Sequence, residues 1–363
     1  MGCSRGGCCG TRSGRRGAGA GSGASGEGGR GGSTPLRPPA HGAPARPGDP
    51  SVGCAPVGHE GVTERTLSLL DRGRTETMKG SPHSLIDGLG SLASPPAIHQ
   101  ELMRVIARPT SSASDIADVI GRDPALSASL LRLVNSSFFA FSRRIDDLGT
   151  AVMAVGVSQI RDLALATSVI SLFRDVPAEE VSMEDFWKHS LATAVGSRVL
   201  ASMRQEFNVE SLFLAGLLHD LGRLVLFLRA GQMMSRSIRE ARDRGVALHQ
   251  AEAEVFGFHH GDVGQALMER WNLEELFGEV AAYHHAPLQS ERFPLETATV
   301  HAADVIANLL RWGHSGAPVA APVSPRAWKL LGVKDDQIPA LLSVIGRQWE
   351  DAVDGIIPAS RAA

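Results

Sequence analysis

An adjacent histidine and aspartate, His219-Asp220, lie inside the apolar run LAGLLHDLGRLVL. Such a run is destined for the interior, and a buried carboxylate needs a paired charge, hydrogen bonds or a metal ion. Any fold this chain adopts must therefore bring partners to that pair. Residues of ligating type stand on both sides: His189 upstream, and His259, His260, His284, His285, His301 and Asp304 downstream.

From Ser81 onward the spacing is helical and no run reads as a convincing strand. Asp123 can cap a helix with Pro124 in its first turn. Leu126, Leu130, Leu133 and Val134 then form one apolar stripe. Asp147 precedes Leu148, Ala151, Val152 and Val155, and Gly156 can end that helix. Ser158 is expected to open the next, with Ile160, Leu163, Thr167, Ile170 and Phe173. Ser182 and Asp185 make a capping-box start for the helix that carries Trp187 and His189. Residues 210–229 read as one buried central helix. Helices follow near 231–244, 248–256, 260–271, 274–284 and 295–312. The linker GAPVAAPVSP and a last helical pair, 325–331 and 336–353, complete an all-α chain.

Composition bounds the partners. A net charge of −3 and a pI of about 6.5 give no global pull toward nucleic acid or an anionic membrane. The four cysteines, Cys3, Cys8, Cys9 and Cys54, all precede the helical region, which suits a reducing cytoplasm. The best candidate for a membrane segment, Leu224 to Leu228, is closed by Arg229 and is too short. No apolar stretch near the start resembles a secretory signal, and Gly6 stands where a myristoylation signal wants Ser or Thr. Residues 1–77 are rich in Gly, Arg, Pro and Ser. They read as a disordered tail, or as an extension upstream of a start at Met78, ahead of an RGG-like nucleic-acid arm.

The candidate ligands sit on separate helices of what should be a bundle. His189, His219, Asp220 and Asp304 would offer two imidazoles and two carboxylates to Mn, Fe, Co, Ni or Zn, with positions left for water. His260, His284 and His285 could hold a second ion or meet a substrate phosphate. Paired ions suit hydroxide generation and phosphoryl displacement. Taken singly, His189 is more often a satisfied core or boundary histidine, and His284 and His285 could simply favour a helix end. His301 lies one turn before Asp304 and could support it. His83, His99, His249, His259 and His314 read as surface residues.

The order of a His, a His-Asp pair and a late Asp on separate helices resembles the HD superfamily of metal-dependent phosphohydrolases. The segments SPPAIHQEL, DPALSASLLRLVNSSFF, AVMAVGVSQIRDLAL, LLHDLGRLVL, FGFHHGDVGQALMERWNL, AAYHHAP and VHAADVIA more closely resemble its HDOD branch, over about 84–312. That resemblance implies an HD-like bundle (182–312), an N-terminal helical subdomain (81–180) packed on it, and a C-terminal extension (313–363). It also implies a bacterial signal-transduction output or scaffold module, in which catalysis is generally not established. His260, before Gly261-Asp262-Val263-Gly264, and the His284-His285 doublet match family positions. Asn135-Ser136-Ser137-Phe138-Phe139 is a family mark with an expected local packing role.

Two departures weigh against turnover. Arg223 stands where cyclic-dinucleotide phosphodiesterases of the superfamily usually carry Lys. It can attract phosphate but cannot donate a proton near neutral pH. The Gly-Tyr-Pro signature is also missing after His285. The expectation is a non-catalytic or weakly catalytic module, cytoplasmic, working through signalling-protein partners, with one or two divalent ions. The alternative is a metal-dependent phosphohydrolase acting on a nucleotide or phosphodiester, with Arg223 as a phosphate contact. DNA binding is disfavoured because no Lys/Arg-rich recognition face is evident.

Overall fold

Short polar side chains set where the helices begin. In the computed structural model, which describes residues 80–357 apart from 137, 138, 140, 175, 178, 179 and 207, Ser81, Ser112, Asp123, Asp147, Ser182 and Ser324 each accept a backbone N–H of the turn they cap. The expected disordered tail over 1–77, the four cysteines and Phe138 lie outside the described residues.

The helices in chain order are α1 (Pro82–Asp87), α2 (Ala97–Ile106), α3 (Ala113–Gly121), α4 (Pro124–Val134), α5 (Leu148–Val155), α6 (Val157–Leu172), α7 (Met183–Met203) and α8 (Val209–Leu218). They continue as α9 (Leu221–Arg244), α10 (Leu248–Phe256), α11 (His260–Arg270), α12 (Glu275–Tyr283), α13 (Pro294–Leu310), α14 (Pro325–Leu331) and α15 (Ile338–Ile356). No strand occurs among the described residues. The fold is all-α, a multi-helix HD-like bundle preceded by a group of shorter helices.

The centre of the bundle is α7. Helices α8, α13 and α15 pack against it, while α9 and α12 flank α11. The earlier helices gather around α6, which also packs on α8. One buried apolar cluster runs from Leu85 to Ile356, so both groups share a core. Asn135 links the end of α4 to the next loop. Its side chain donates to the carbonyls of Leu131 and Ile145 and accepts the Ile145 N–H at 2.8 Å.

Several expectations are corrected. Residues 210–229 are not one helix: the chain turns at His219-Asp220, and the helix that resumes at Leu221 has a second irregularity at Ala230 (φ −148°, ψ 42°). Gly156, at φ 103°, caps the start of α6, so Ser158 does not open it. The expected limit on apolar length also fails. Val209–Arg244 together is long and apolar enough to cross a membrane, but 89% of its apolar window is buried inside the bundle, as in a core helix. His99 is buried rather than exposed, and His249 and His259 are half-buried.

Candidate metal centre

Four stretches of chain converge on the His219-Asp220 turn. Ser182 fixes the start of α7, and His189 lies two turns later on the face toward the core. His260 is the first residue of α11, and His284 and His285 follow α12. Asp304 comes from the middle of α13. The turn itself depends on Gly222. A Cβ there would lie 2.0 Å from the His260 carbonyl oxygen and 2.5 Å from the Gly264 nitrogen, so only glycine lets α9 meet α11 this closely.

The two oxygens of Asp220 face two nitrogen sets. Oδ2 lies 3.5 Å from His219 Nε2 and 3.8 Å from His189 Nε2. Oδ1 lies 3.1 Å from His260 Nε2 and 3.7 Å from His284 Nε2. Asp304 Oδ1 completes the first set, 3.2 Å from His189 Nε2 and 3.7 Å from His219 Nε2. His285 joins the second, its Nε2 3.1 Å from that of His260. Asp304 is held from behind by Asn308, whose amide donates to Oδ1 at 2.7 Å. His189, His219, Asp220, His260, His284 and Asp304 are all buried, and His285 is half-buried.

The tautomers follow from the outer hydrogen bonds. His219 Nδ1 donates to the Gly216 carbonyl at 2.7 Å, and His284 Nδ1 to that of Ala281 at 2.8 Å. His260 Nδ1 donates to Glu252 Oε2 at 2.5 Å. With the proton fixed on Nδ1, each ring turns an Nε2 lone pair inward. Those of His219 and His284 meet carboxylate oxygens, while that of His260 faces both Asp220 Oδ1 and the Arg223 Nη2 donor, each at 3.1 Å. His189 Nε2, His219 Nε2 and Asp220 Oδ1 are buried without a hydrogen-bond partner despite these close approaches. Converging lone pairs with no proton between them repel one another, and a cation relieves that repulsion. The donor set, imidazole plus carboxylate, fits a divalent ion of the Mn-to-Zn range. His189, His219 and Asp304 form one potential ligand group, and Asp220, His260, His284 and His285 another.

Titration behaviour reflects the same crowding. Burial pulls His219 down, but the Asp220 and Asp304 carboxylates outweigh it and leave the imidazole raised. His260 is likewise raised, Glu252 and Asp220 outweighing burial and the Arg223 charge. Burial would raise Asp220, yet Arg223 and His219 hold it well below the usual carboxylate range. Burial and the neighbouring imidazoles push His284 and His285 well below the usual histidine value.

Arg223 is buried at the edge of the centre. Its Nη1 donates to Asp220 Oδ2 at 2.7 Å, and to Ser315 at both the carbonyl oxygen (3.1 Å) and Oγ (2.5 Å). Its Nη2 lies 3.1 Å from His260 Nε2. The guanidinium is engaged by the protein, not presented to solvent. His301 is not among the converging atoms: its Nδ1 donates to the His284 carbonyl at 2.7 Å and its Nε2 accepts the Ser324 N–H at 3.0 Å. His259 caps α11. His249 stacks on His285 with centroids 4.2 Å apart. Neither Glu252 nor Ser315 stood out in the sequence. The only signal for Glu252 was a glutamate on the helix just before the His260 motif.

The HDOD domain family profile matches residues 92–287, more than half of the chain, and the chain belongs to that family. It is 26% identical over 254 residues to an uncharacterized protein of Treponema pallidum (strain Nichols), covering 68% of this chain and 49% of that protein. The chain thus spans about half the length of the curated relative it matches. Among solved structures, an HDOD domain protein of unknown function from Geobacter sulfurreducens aligns with a TM-score of 0.64 at 24% identity, over 76% of this chain and 99% of that one. A protein from Shewanella amazonensis SB2B, described as a candidate phosphohydrolase, aligns with a TM-score of 0.59 at 22% identity, over 75% and 97%. At these identities the likeness speaks to the fold alone.

Proposed function

We propose that this chain is a signal-transduction output module whose bundle holds a divalent metal centre and which acts through protein contacts. The observation that carries the metal reading is the set of three imidazoles, His219, His260 and His284, locked with Nε2 facing the buried carboxylates. His189, His219, Asp304 and Asp220 Oδ2 would hold one ion. Asp220 Oδ1, His260, His284 and His285 would hold a second if two are present. A bound divalent ion supplies Lewis acidity and a lowered pKa for coordinated water. The chain's own groups supply position: Glu252 and the Gly216 and Ala281 carbonyls orient the rings, Asn308 orients Asp304, and the apolar helices exclude solvent.

Support for a regulatory role over turnover comes from access. The cavity beside Asp220, Arg223, His285 and Asp304 measures about 10 Å³, about the space of one water. Arg223, the group best suited to a phosphate, is already saturated on Nη1. Elemental analysis of the full chain tests the metal reading, with Asp220→Ala as control. Substantial Mn, Fe, Co, Ni or Zn in the parent and its loss in the variant is expected. No metal in the parent after incubation with these ions would refute it.

A second reading, a metal-dependent phosphohydrolase, is favoured by one feature: the two oxygens of a single carboxylate facing two ligand groups, as a bridged pair of ions requires. It predicts metal-dependent turnover of a nucleotide or phosphodiester that His219→Ala and Asp220→Ala abolish.

A further inference from the structure

Between α13 and α14, residues 312–324 cross over the centre without helical structure. This strap lies beyond the segment matched by the family profile, 92–287. It closes the small cavity with Ala317 and Val319 opposite Asp220, Arg223, His285 and Asp304. Polar latches hold it near each end. Ser315, which is buried, accepts from Arg223 Nη1 with both its oxygens. The Ser324 N–H donates to His301 Nε2.

Glycines set the course of the strap: its first part is pinned to α7, where the His314 N–H donates to the Asp185 carbonyl at 3.0 Å, and its later part is free to lift. Gly313 has φ 83°, and a Cβ there would lie 2.2 Å from the His189 nitrogen and 2.4 Å from the Asp185 carbonyl oxygen. Gly316 has φ 98°. Between Ala317 and Ala321 every residue is only half-buried. These side chains are small, so lifting them exposes little apolar surface and costs little. Local opening of such a segment needs far less free energy than global unfolding.

Ser315 does more than close the cavity. Its two oxygens take up N–H capacity of Nη1 that a phosphoryl oxygen could otherwise use. Lifting the strap removes both Ser315 acceptors, and Nη1, still donating to Asp220 Oδ2, is left with N–H capacity facing the opening beside His285. We propose that the strap is an internal competitor: Ser315 occupies the Arg223 donor that a phosphoryl oxyanion takes, and the strap swings away when that ligand binds. This rests on the reading of the neighbouring side chains as a ligand-bearing metal centre. It adds the ligand class and the device that controls access. The strap runs directly into α14 and α15, and α15 packs on both α4 and α7.

The test uses the full chain carrying Ser315→Cys, loaded with Mn²⁺. Alkylation of the new thiol is followed by peptide mass spectrometry, which separates it from Cys3, Cys8, Cys9 and Cys54. A strap that opens locally is alkylated at a rate independent of dilute urea. Inorganic phosphate or dimethyl phosphate should raise that rate at least tenfold over chloride at matched ionic strength. Whichever of the two acts distinguishes a free phosphate from a diester. Alkylation that climbs with urea in step with global unfolding would overturn the strap. A local rate that neither phosphate compound changes would overturn the competitor. Ser315→Ala gives a separate readout: by equilibrium dialysis it should bind inorganic phosphate several-fold more tightly than the parent, and equal binding would count against the proposal. Metal content is measured on the same samples. A urea-independent rate in protein without metal would fail the metal reading while leaving the strap intact.

Discussion

Glu252 is fully buried, and its Oε2 accepts from both the backbone and the ring of His260, at 3.0 and 2.5 Å. Burial alone would raise this carboxyl, but the hydrogen bonds and charge of His260, with Arg223, hold it at about 2. It is a positioning residue: it fixes the His260 tautomer, and through it the direction of the Nε2 lone pair. Glu252→Gln keeps the shape and loses the charge. Metal affinity measured by titration is expected to fall about 10- to 100-fold, the usual effect of removing such a supporting partner. The helical circular-dichroism signal should stay unchanged. An unaltered affinity would show that His260 is not a ligand. A second buried charge lies far from the centre. Asp162 on α6 is raised to about 6, chiefly by burial, against the opposing pull of Arg161. The folded state therefore holds this proton more tightly than the unfolded chain does. The associated stability is present below about pH 4 and is lost as pH rises through about 6. A shift of this size corresponds to about 3 kcal/mol at most. Asp162→Asn keeps the acceptor for Arg161 Nε. Urea titrations at pH 5 and pH 8 should show the variant gaining on the parent as pH rises, and a constant difference would contradict the assignment.

At the scale of helices, the turn between α8 and α9 decides the site. A straight helix would set His219 and Asp220 about 100° apart on its surface. The turn instead lets both side chains enter one core. Gly222→Ala would place a methyl against the His260 carbonyl and the Gly264 nitrogen, where backbone cannot yield cheaply. It is expected to cost about 1–3 kcal/mol or more by overpacking. It should also loosen the metal site, because the same displacement moves His260. Thermal melting and metal titration of the variant measure the two effects, and a parent-like result in both would rule out the close approach. This turn was hidden in the sequence, because 210–229 is nearly all apolar and carries no proline to mark a break. Helix starts were far more legible. Asp123-Pro124, Asp147 and Ser182 cap where they were expected, since a short polar side chain before an apolar stripe has few other uses. The converging residues were legible for a related reason: histidines and aspartates within apolar helices have little choice but to face one another. Glu252 was not, because beside Glu254 it looks like one of two surface acids. Ser315 sits in a Pro/Ala linker that carries no periodicity at all.

At the scale of the molecule, the centre ties together segments distant in sequence. His189 on α7, the α8–α9 turn, the start of α11, the end of α12 and Asp304 on α13 meet within one small volume. Without a cation, His189 Nε2, His219 Nε2 and Asp220 Oδ1 stay buried without a hydrogen-bond partner. With one, the same atoms cross-link five parts of the bundle. Binding to the folded state alone stabilises by RT ln(1 + [L]/Kd), about 2.7 kcal/mol when free metal is a hundredfold above Kd. For a folded part of this size that is a rise of about 4–5 °C in melting temperature. The buried cluster is continuous from Leu85 to Ile356. The gain should therefore appear as a shift of the whole transition rather than of one part. Chelation with EDTA is expected to lower the melting temperature of the parent by that amount and to leave Asp220→Ala unmoved. Calorimetry distinguishes the outcomes. A coherent shift confined to the parent means that the centre holds the bundle together, whereas a melting temperature indifferent to both EDTA and added Mn²⁺ or Zn²⁺ would mean that it contributes no metal-linked stability.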